Sequence, residues 1–381
     1  MDFTWSDEQT QLRQQVTEFA RRELNDGLLE RDAQGRFNAD GWKKCAEMGI
    51  HGLPIPEQYG GSGQDALTTV AVLESFGYGC KDNGLVFSIN AHMWTVEMPL
   101  VSFGTEEQKR KFLPGLCDGR LIGGNAMSEP GSGSDAYGLA TTAERRGNQY
   151  ILNGSKIFVT NGSVADVVLV FATIDRNLGP NGVTAFLVER DFPGFTVART
   201  VDKMGLRTSP MAELFFDNCE VPVENRLGKE GAGKNLFTDS MTWERGCILA
   251  GAVGAMERLL ETCIHYARER KQFGQSIGKF QLVAAKIVEM KLRVETARSL
   301  LYRAAWLKGR GKSIFLEAAM AKLYISECWC QCAQDAVQIH GGYGYMKEFE
   351  VEREFRDATG SKLYSGTSEI QRVLIASLLG L

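Results

Sequence analysis

The sequence predicts an α+β protein in three consecutive parts. These are an N-terminal helical domain over residues 1–120, a middle antiparallel β domain over 121–235 and a C-terminal four-helix bundle over 236–381. Three observations carry this expectation. Apolar residues recur at helical spacing near both ends of the chain. The middle is strand-like with no helical crossover between strands, so its sheet should be largely antiparallel and barrel- or sandwich-like. At roughly 150 residues per domain, 381 residues suffice for two or three.

Each element has a local reason. Ser6 with Gln9 three residues on is a capping box, and Leu12, Val16 and Phe19 follow on one helical face. Leu67, Val70, Leu73 and Glu74 lead into a second helix, and Thr105 with Gln108 opens a third. In the middle, Tyr150–Leu152, Asn153-Gly154 and Lys156–Thr160 predict a hairpin, because Asn-Gly suits a type I′ turn. Val167–Phe171, Val183–Val188 and Glu213–Phe216 read as further strands. Beyond 236, Leu249, Val253, Met256, Leu260 and Ile264 line one helix face. Ile287, Met290, Val294, Ala297 and Leu301 line another, and two more helices fit Leu316–Ile339 and Ser368–Leu379.

Composition narrows the function. Lys+Arg 43 against Asp+Glu 47 gives a net charge of −4, without the basic excess of a nucleic-acid binder. Nine scattered cysteines fit a reducing compartment. No stretch approaches eighteen apolar residues, and the acidic first ten residues resemble no signal or transit peptide, so a cytoplasmic protein away from membranes is expected. Glycine is in excess, 42 residues against an average of roughly 7%. Many cluster, at 60–63, 123–124, 131–133, 228–233 and 341–344, where backbone turns sharply or approaches a ligand.

Several motifs tempt and fail. Gly228 and Gly233-Lys234 have P-loop spacing, but Asn235 replaces the hydroxyl that holds magnesium. Gly61-x-Gly63-x-x-Ala66 and Gly131-x-Gly133-x-x-Ala136 lack the strand–helix context of a dinucleotide fingerprint. Cys328, Cys330 and Cys332 lack zinc spacing, and the four histidines form no ligand pair, so no metal is expected.

Five ordered motifs then resemble the acyl-CoA dehydrogenase family: AMSEPGSGSD (126–135), LNGSKIFVTNG (152–162), ARERKQFG (267–274), DAVQIHGGYGY (335–345) and KLYSGTSEIQR (362–372). The resemblance implies the three-part fold above, a homotetramer and one FAD per subunit. It implies that Met127, Ser128, Gly133 and Ser134 meet the flavin ring or pyrophosphate, and that Phe158, Val159 and Thr160 pack on the ring. Arg270, Gln272 and Phe273 match a set reaching a neighbouring subunit's FAD. Gln338, Gly341 and Gly342 match another, and Thr367 and Glu369 fall where the last helix touches cofactor. His92 lies where the first domain approaches the flavin in relatives, and a cationic ring there would favour reaction with oxygen. From the residues alone, Arg270 reads as a solvated helix-end charge, Gln338 as a surface amide and Gly341–Gly342 as a helix C-cap.

The family chemistry is abstraction of a proton α to a thioester carbonyl, with hydride passing to flavin N5. The commonest base, a Glu before Gly-Thr in the last motif, is replaced here by Ser365. A minority of the family carries the base on a bundle helix before an Arg, which Trp243-Glu244-Arg245 matches, so Glu244 is the expected base. Unaided, Glu244 reads as an acid favoured by its helix or as the partner of Arg245. Ser365 would lend its backbone N–H to the thioester carbonyl. The stretch MTWERGCILAG (241–251) is most similar to a branch oxidising prolyl groups on acyl or peptidyl carrier proteins in natural-product biosynthesis. A short or branched-chain acyl-CoA dehydrogenase of the isovaleryl-CoA type is the alternative. A non-catalytic flavoprotein like the DNA-damage-associated relatives would want a basic surface. Reduced flavin would pass electrons to oxygen or to an electron-transfer flavoprotein.

Overall fold

The computed structural model describes residues 4–381, and the capping boxes at Ser6 and Thr105 both form. They open helices Asp7–Glu23 and Glu106–Cys117, between which lie Leu28–Gln34, Ala39–Glu47, Ala66–Gly79 and Asn83–His92. The last continues through a fully buried π-helical turn, Met93–Glu97, into Met98–Phe103.

The middle of the chain forms one eight-stranded sheet. Its strands are β1 (Gly123–Ala126), β2 (Thr142–Arg146), β3 (Gln149–Thr160), β4 (Val167–Thr173), β5 (Val183–Glu189), β6 (Phe195–Thr200), β7 (Met211–Pro222) and β8 (Arg226–Leu227). The order is β6-β7-β3-β2-β4-β5-β8, with β1 beside β4. Pairing is antiparallel except for β1 with β4 and the single contact Thr142–Thr173.

The predicted Asn153-Gly154 hairpin does not form. β3 runs straight through both residues, and its two halves pair with one partner, from Gln149–Pro222 to Thr160–Met211. The register shifts at Leu152/Gly154, so Asn-Gly marks a bulge and not a reversal. At Gly154, φ is 149° and an added Cβ would lie 2.5 Å from the Thr141 hydroxyl, so close approach to the loop before β2 requires glycine. The reversal lies one strand earlier, between Arg146 and Gln149, at Gly147.

β4 and β5 are apolar on both faces because two cores meet there. Val167, Leu169 and Phe171, with Val183, Ala185 and Leu187, join a core shared with the helices of both ends. The alternate residues Val168, Val170, Phe186 and Val188 join a core inside the β domain. The bundle helices are Gly233–Cys247, Ala250–Glu269, Gln281–Gly309 and Phe315–His340, followed by Val351–Gly360 and Ser368–Leu378. Helix Ala66–Gly79 lies directly on Ala250–Glu269. A Cβ at Gly77 or Gly254 would come within 2.1 Å and 2.0 Å of the opposing backbone, at Gly251 and Glu74.

Candidate active site

Glu244 sits in the last turn of helix Gly233–Cys247, 7% exposed. Its Oε1 accepts a short hydrogen bond from the Ser365 hydroxyl, and its Oε2 is buried without a partner. Burial pushes its carboxyl above the ordinary value, against the opposing pull of Ser365, Arg245 and Lys322. Ser365 is held at φ 58°, in the left-handed region. Two donors fix it there: Arg245 Nε at 3.1 Å and Gln371 Nε2 at 3.1 Å, both on the Ser365 carbonyl. Gln371 also binds the Gly366 carbonyl at 3.0 Å. The Ser365 N–H donates to no group among the described residues. Trp243 stacks on Trp94 with rings 5.7 Å apart, closing one side of this turn.

A second group lies on the sheet. The Ile157 N–H donates to the Ser128 carbonyl at 2.9 Å, bringing the Met127–Ser128 segment alongside β3. Buried Lys156 donates to the Met127 carbonyl at 2.9 Å and to Glu129 Oε1 at 2.8 Å. Burial lowers the Lys156 ammonium to about 8, with Glu129 opposing. The Thr141 N–H donates to the same carboxylate at 2.9 Å. The Glu129–Lys156 pair thus anchors both ends of the loop that carries Gly131, Gly133 and Ser134. A register shift after Lys156 puts Phe158 at φ 58° with 59% exposure, while Val159 is buried and Thr160 half-buried.

A third group surrounds a groove of about 500 Å³ whose walls include Arg270, Gln272, Tyr266, Gly341, Gly342 and Tyr343. Two distant motifs therefore converge, and Met127, Ser128, Phe158 and Glu244 are not among the walls. Arg270 lies over the Tyr343 ring at 5.5 Å. Phe273 is 93% exposed at the tip of the ribbon Lys271–Ser276, where φ is positive at both Phe273 and Gly274. Gln338 is exposed, and its carbonyl accepts the Gly341 N–H, so Gly341 at φ 60° also ends its helix. Thr367 caps the last helix through the Ile370 N–H, and Glu369 is exposed in its first turn.

His92 is fully buried, its Nδ1 accepts the Gly123 N–H at 2.8 Å, and its Nε2 faces the Leu116 carbonyl at 3.2 Å and Glu97 at 3.3 Å.

Several glycines fit a cofactor. A Cβ at Gly131, Gly133, Gly341 or Gly342 would meet nothing within 4 Å, so no packing contact of the chain requires their lack of a side chain. Open backbone of this kind beside donors suits the ring, ribityl chain and pyrophosphate of a dinucleotide.

Comparison with known proteins decides the family. Models of the N-terminal, middle and C-terminal domains of acyl-CoA dehydrogenase match residues 6–120, 124–219 and 231–380. The chain belongs to the acyl-CoA dehydrogenase family. It is therefore an FAD-dependent oxidoreductase acting on thioesters. An L-prolyl-[peptidyl-carrier protein] dehydrogenase of Pseudomonas fluorescens is 42% identical over the whole of both chains. An acyl-CoA dehydrogenase of Bacillus subtilis is 42% identical over 98% of each. Among solved structures, the prolyl acyl carrier protein oxidase AnaB superposes with TM-score 0.98 at 56% identity, covering 99% of this chain and 100% of that one. PigA with FAD and proline gives 0.97 at 41%, covering all of both chains.

Glu129, Lys156 and Lys322 carry no role in the sequence reading, although Lys156 and Lys322 stand as charges inside a strand-forming and an apolar stretch and Glu129 within the AMSEPGSGSD motif. Only their burial marks them as more than surface charges.

Proposed function

We propose that this family member oxidises a prolyl group carried as a thioester on an acyl or peptidyl carrier protein, with Glu244 as the base. The observation that carries the reading is the buried Glu244 carboxylate, one oxygen held by Ser365 and the other free, with a serine where most of the family has its acid. Similarity over 99% of the chain to a prolyl acyl carrier protein oxidase supports the choice of acyl group. Bound FAD supplies the hydride acceptor.

The chain's own residues do the rest. Glu244 Oε2 takes the proton from the carbon α to the thioester carbonyl. Its burial raises proton affinity towards working pH, as a base for a weakly acidic C–H requires. The free Ser365 N–H is a ready donor for the thioester carbonyl, aimed by the two bonds to its own C=O. Met127, Ser128 and the open glycines would hold the cofactor, with Phe158 and Thr160 beside its ring. The exposed groove at Arg270, Gln272, Gly341 and Gly342 fits a neighbouring subunit's cofactor. Exposed Leu282, Leu292 and Phe273 fit burial in the same homotetramer. Sedimentation at micromolar concentration should then give four chains per particle, and a monomer would remove that assembly.

The test is anaerobic mixing of the FAD-loaded enzyme with prolyl-carrier protein and, separately, with isovaleryl-CoA. Flavin bleaching by the first is expected, and bleaching by the second alone would make the enzyme an acyl-CoA dehydrogenase of the branched-chain type. Glu244→Gln should slow bleaching by on the order of a hundredfold or more. Admission of air afterwards separates oxidase from dehydrogenase.

A further inference from the structure

Lys322, on helix Phe315–His340, is fully buried, and its Nζ has no hydrogen-bond partner. An unpartnered ammonium in a protein interior is costly, and it persists only where the surrounding charge stabilises it. The charged and titratable groups around it are few. From helix Gly233–Cys247 come Glu244 and Arg245; from its own helix come Glu327 and Cys330. Tyr364, on the segment behind Ser365, feels both Glu244 and Cys330.

Only two of these are acids of the carboxylate class, and Glu327 is already engaged. Its Oε1 accepts the Ser368 hydroxyl at 2.7 Å and lies 3.7 Å from Arg372, and its Oε2 lies 4.0 Å from Lys362. Arg245 cannot relieve Lys322, since it adds a second positive charge. Its Nε is bound to the Ser365 carbonyl. The remaining acid is Glu244, whose Oε2 is likewise buried and unpartnered. Two groups of opposite charge, each with one buried atom left without a partner, thus act on each other from two bundle helices, Lys322 wholly enclosed and Glu244 7% exposed.

We propose that Lys322 is a positioning residue for the reaction: a buried counter-charge behind Glu244 that keeps its carboxylate ionised in a site closed to water. The assignment rests on Glu244 being the base. Lys322 touches neither substrate nor cofactor and moves no proton. It acts through the field it sets at Glu244, which falls off slowly in a dry interior. Burial favours the protonated form of Glu244, and the positive charges of Lys322 and Arg245 act against it.

Two measurements test this. The first is the pH dependence of anaerobic flavin reduction in FAD-loaded Lys322→Met and Lys322→Arg enzymes, with prolyl-carrier protein as substrate. Lys322→Met should lose roughly tenfold in rate at neutral pH and recover it at alkaline pH, while Lys322→Arg keeps the wild-type profile. A uniform loss at every pH, or no change, would overturn the proposal. The second needs neither substrate nor a folded Lys322 variant: unfolding midpoints of wild type and Glu244→Gln from pH 6 to 10. Without Glu244 the buried ammonium has no counter-charge, so Glu244→Gln should lose stability more steeply as pH falls. Parallel curves would overturn the pairing. Were Glu244→Gln to reduce flavin normally while the curves still diverged, the base assignment would fail and the charge pairing stand.

Discussion

One unfavourable backbone angle arranges three polar groups of Ser365. At φ 58° its carbonyl turns to Arg245 and Gln371, its hydroxyl reaches Glu244 and its N–H is left free. Three expected site residues, Phe158, Phe273 and Ser365, are among the non-glycine residues with positive φ. Strain held at functional positions is a common pattern, and here it aims side chains that an ordinary strand or helix would turn elsewhere. Ser365→Ala removes the hydroxyl and keeps the strain, whereas Ser365→Gly removes both. A hydrogen bond to the ionised form favours ionisation, so its loss should raise the Glu244 carboxyl further in each variant. The acid limb of flavin reduction should move to higher pH in both. Glycine should regain about 1 kcal/mol of stability over alanine. Equal stability would mean that φ at this position stores nothing, and an unmoved acid limb would remove the hydroxyl from the site's chemistry.

At the scale of elements, β3 shows how a local signal is overruled. Asn153-Gly154 has the chemistry of a turn, yet nine residue pairs with β7 hold both halves of the strand in one line. A turn would forfeit half of that ladder and unseat Tyr150 and Leu152 from the β core. The glycine instead admits the Thr141 segment, and through it the Glu129–Lys156 anchor of the loop that carries Gly131, Gly133 and Ser134. Gly154→Ala should therefore cost roughly 1–3 kcal/mol. FAD retention should fall with it, because the loop and the strand would no longer close on each other. Denaturant unfolding of the apoprotein and flavin content after gel filtration measure the two. Normal stability would show that the Thr141 contact yields freely. Helix starts, by contrast, were legible residue by residue, since Ser6, Thr105 and their glutamines settle capping within one turn.

Across the whole molecule, the three sequence regions are not three separate bodies. One core runs from Val16 through Leu169 to Ala336, and a polar network crosses the same boundaries. Asp357 accepts the Leu206 N–H from the loop before β7 at 2.5 Å and the Asn83 amide from the first region at 3.0 Å. Arg258 joins carbonyls at Tyr78 and Cys80 to Glu354. Burial lifts the Asp357 carboxyl to about 7, with Glu354 adding to it. The folded state then binds a proton that the unfolded state releases near pH 4, so this group favours folding below that pH. Its contribution declines as pH rises to about 7 and is lost above. Asp357→Asn should flatten the pH dependence of the unfolding midpoint between about pH 4 and 7 relative to wild type. An unchanged slope would place the titration elsewhere.

What the sequence determined by itself was whatever depends on neighbours along the chain: the helix caps, the period of apolar residues, the helical–β–helical order and, through its motifs, the family. It also marked Glu244, because Ser365 stands where another acid is usual. Tertiary structure alone decided which charges are buried and what they face. It closed Glu244 with Ser365, buried the Lys322 ammonium without a hydrogen-bond partner, joined Glu129 to Lys156 and enclosed His92 with both nitrogens engaged. Those outcomes depend on residues far apart in sequence, and the energy of a buried charge is set by distances in space, which no local pattern records.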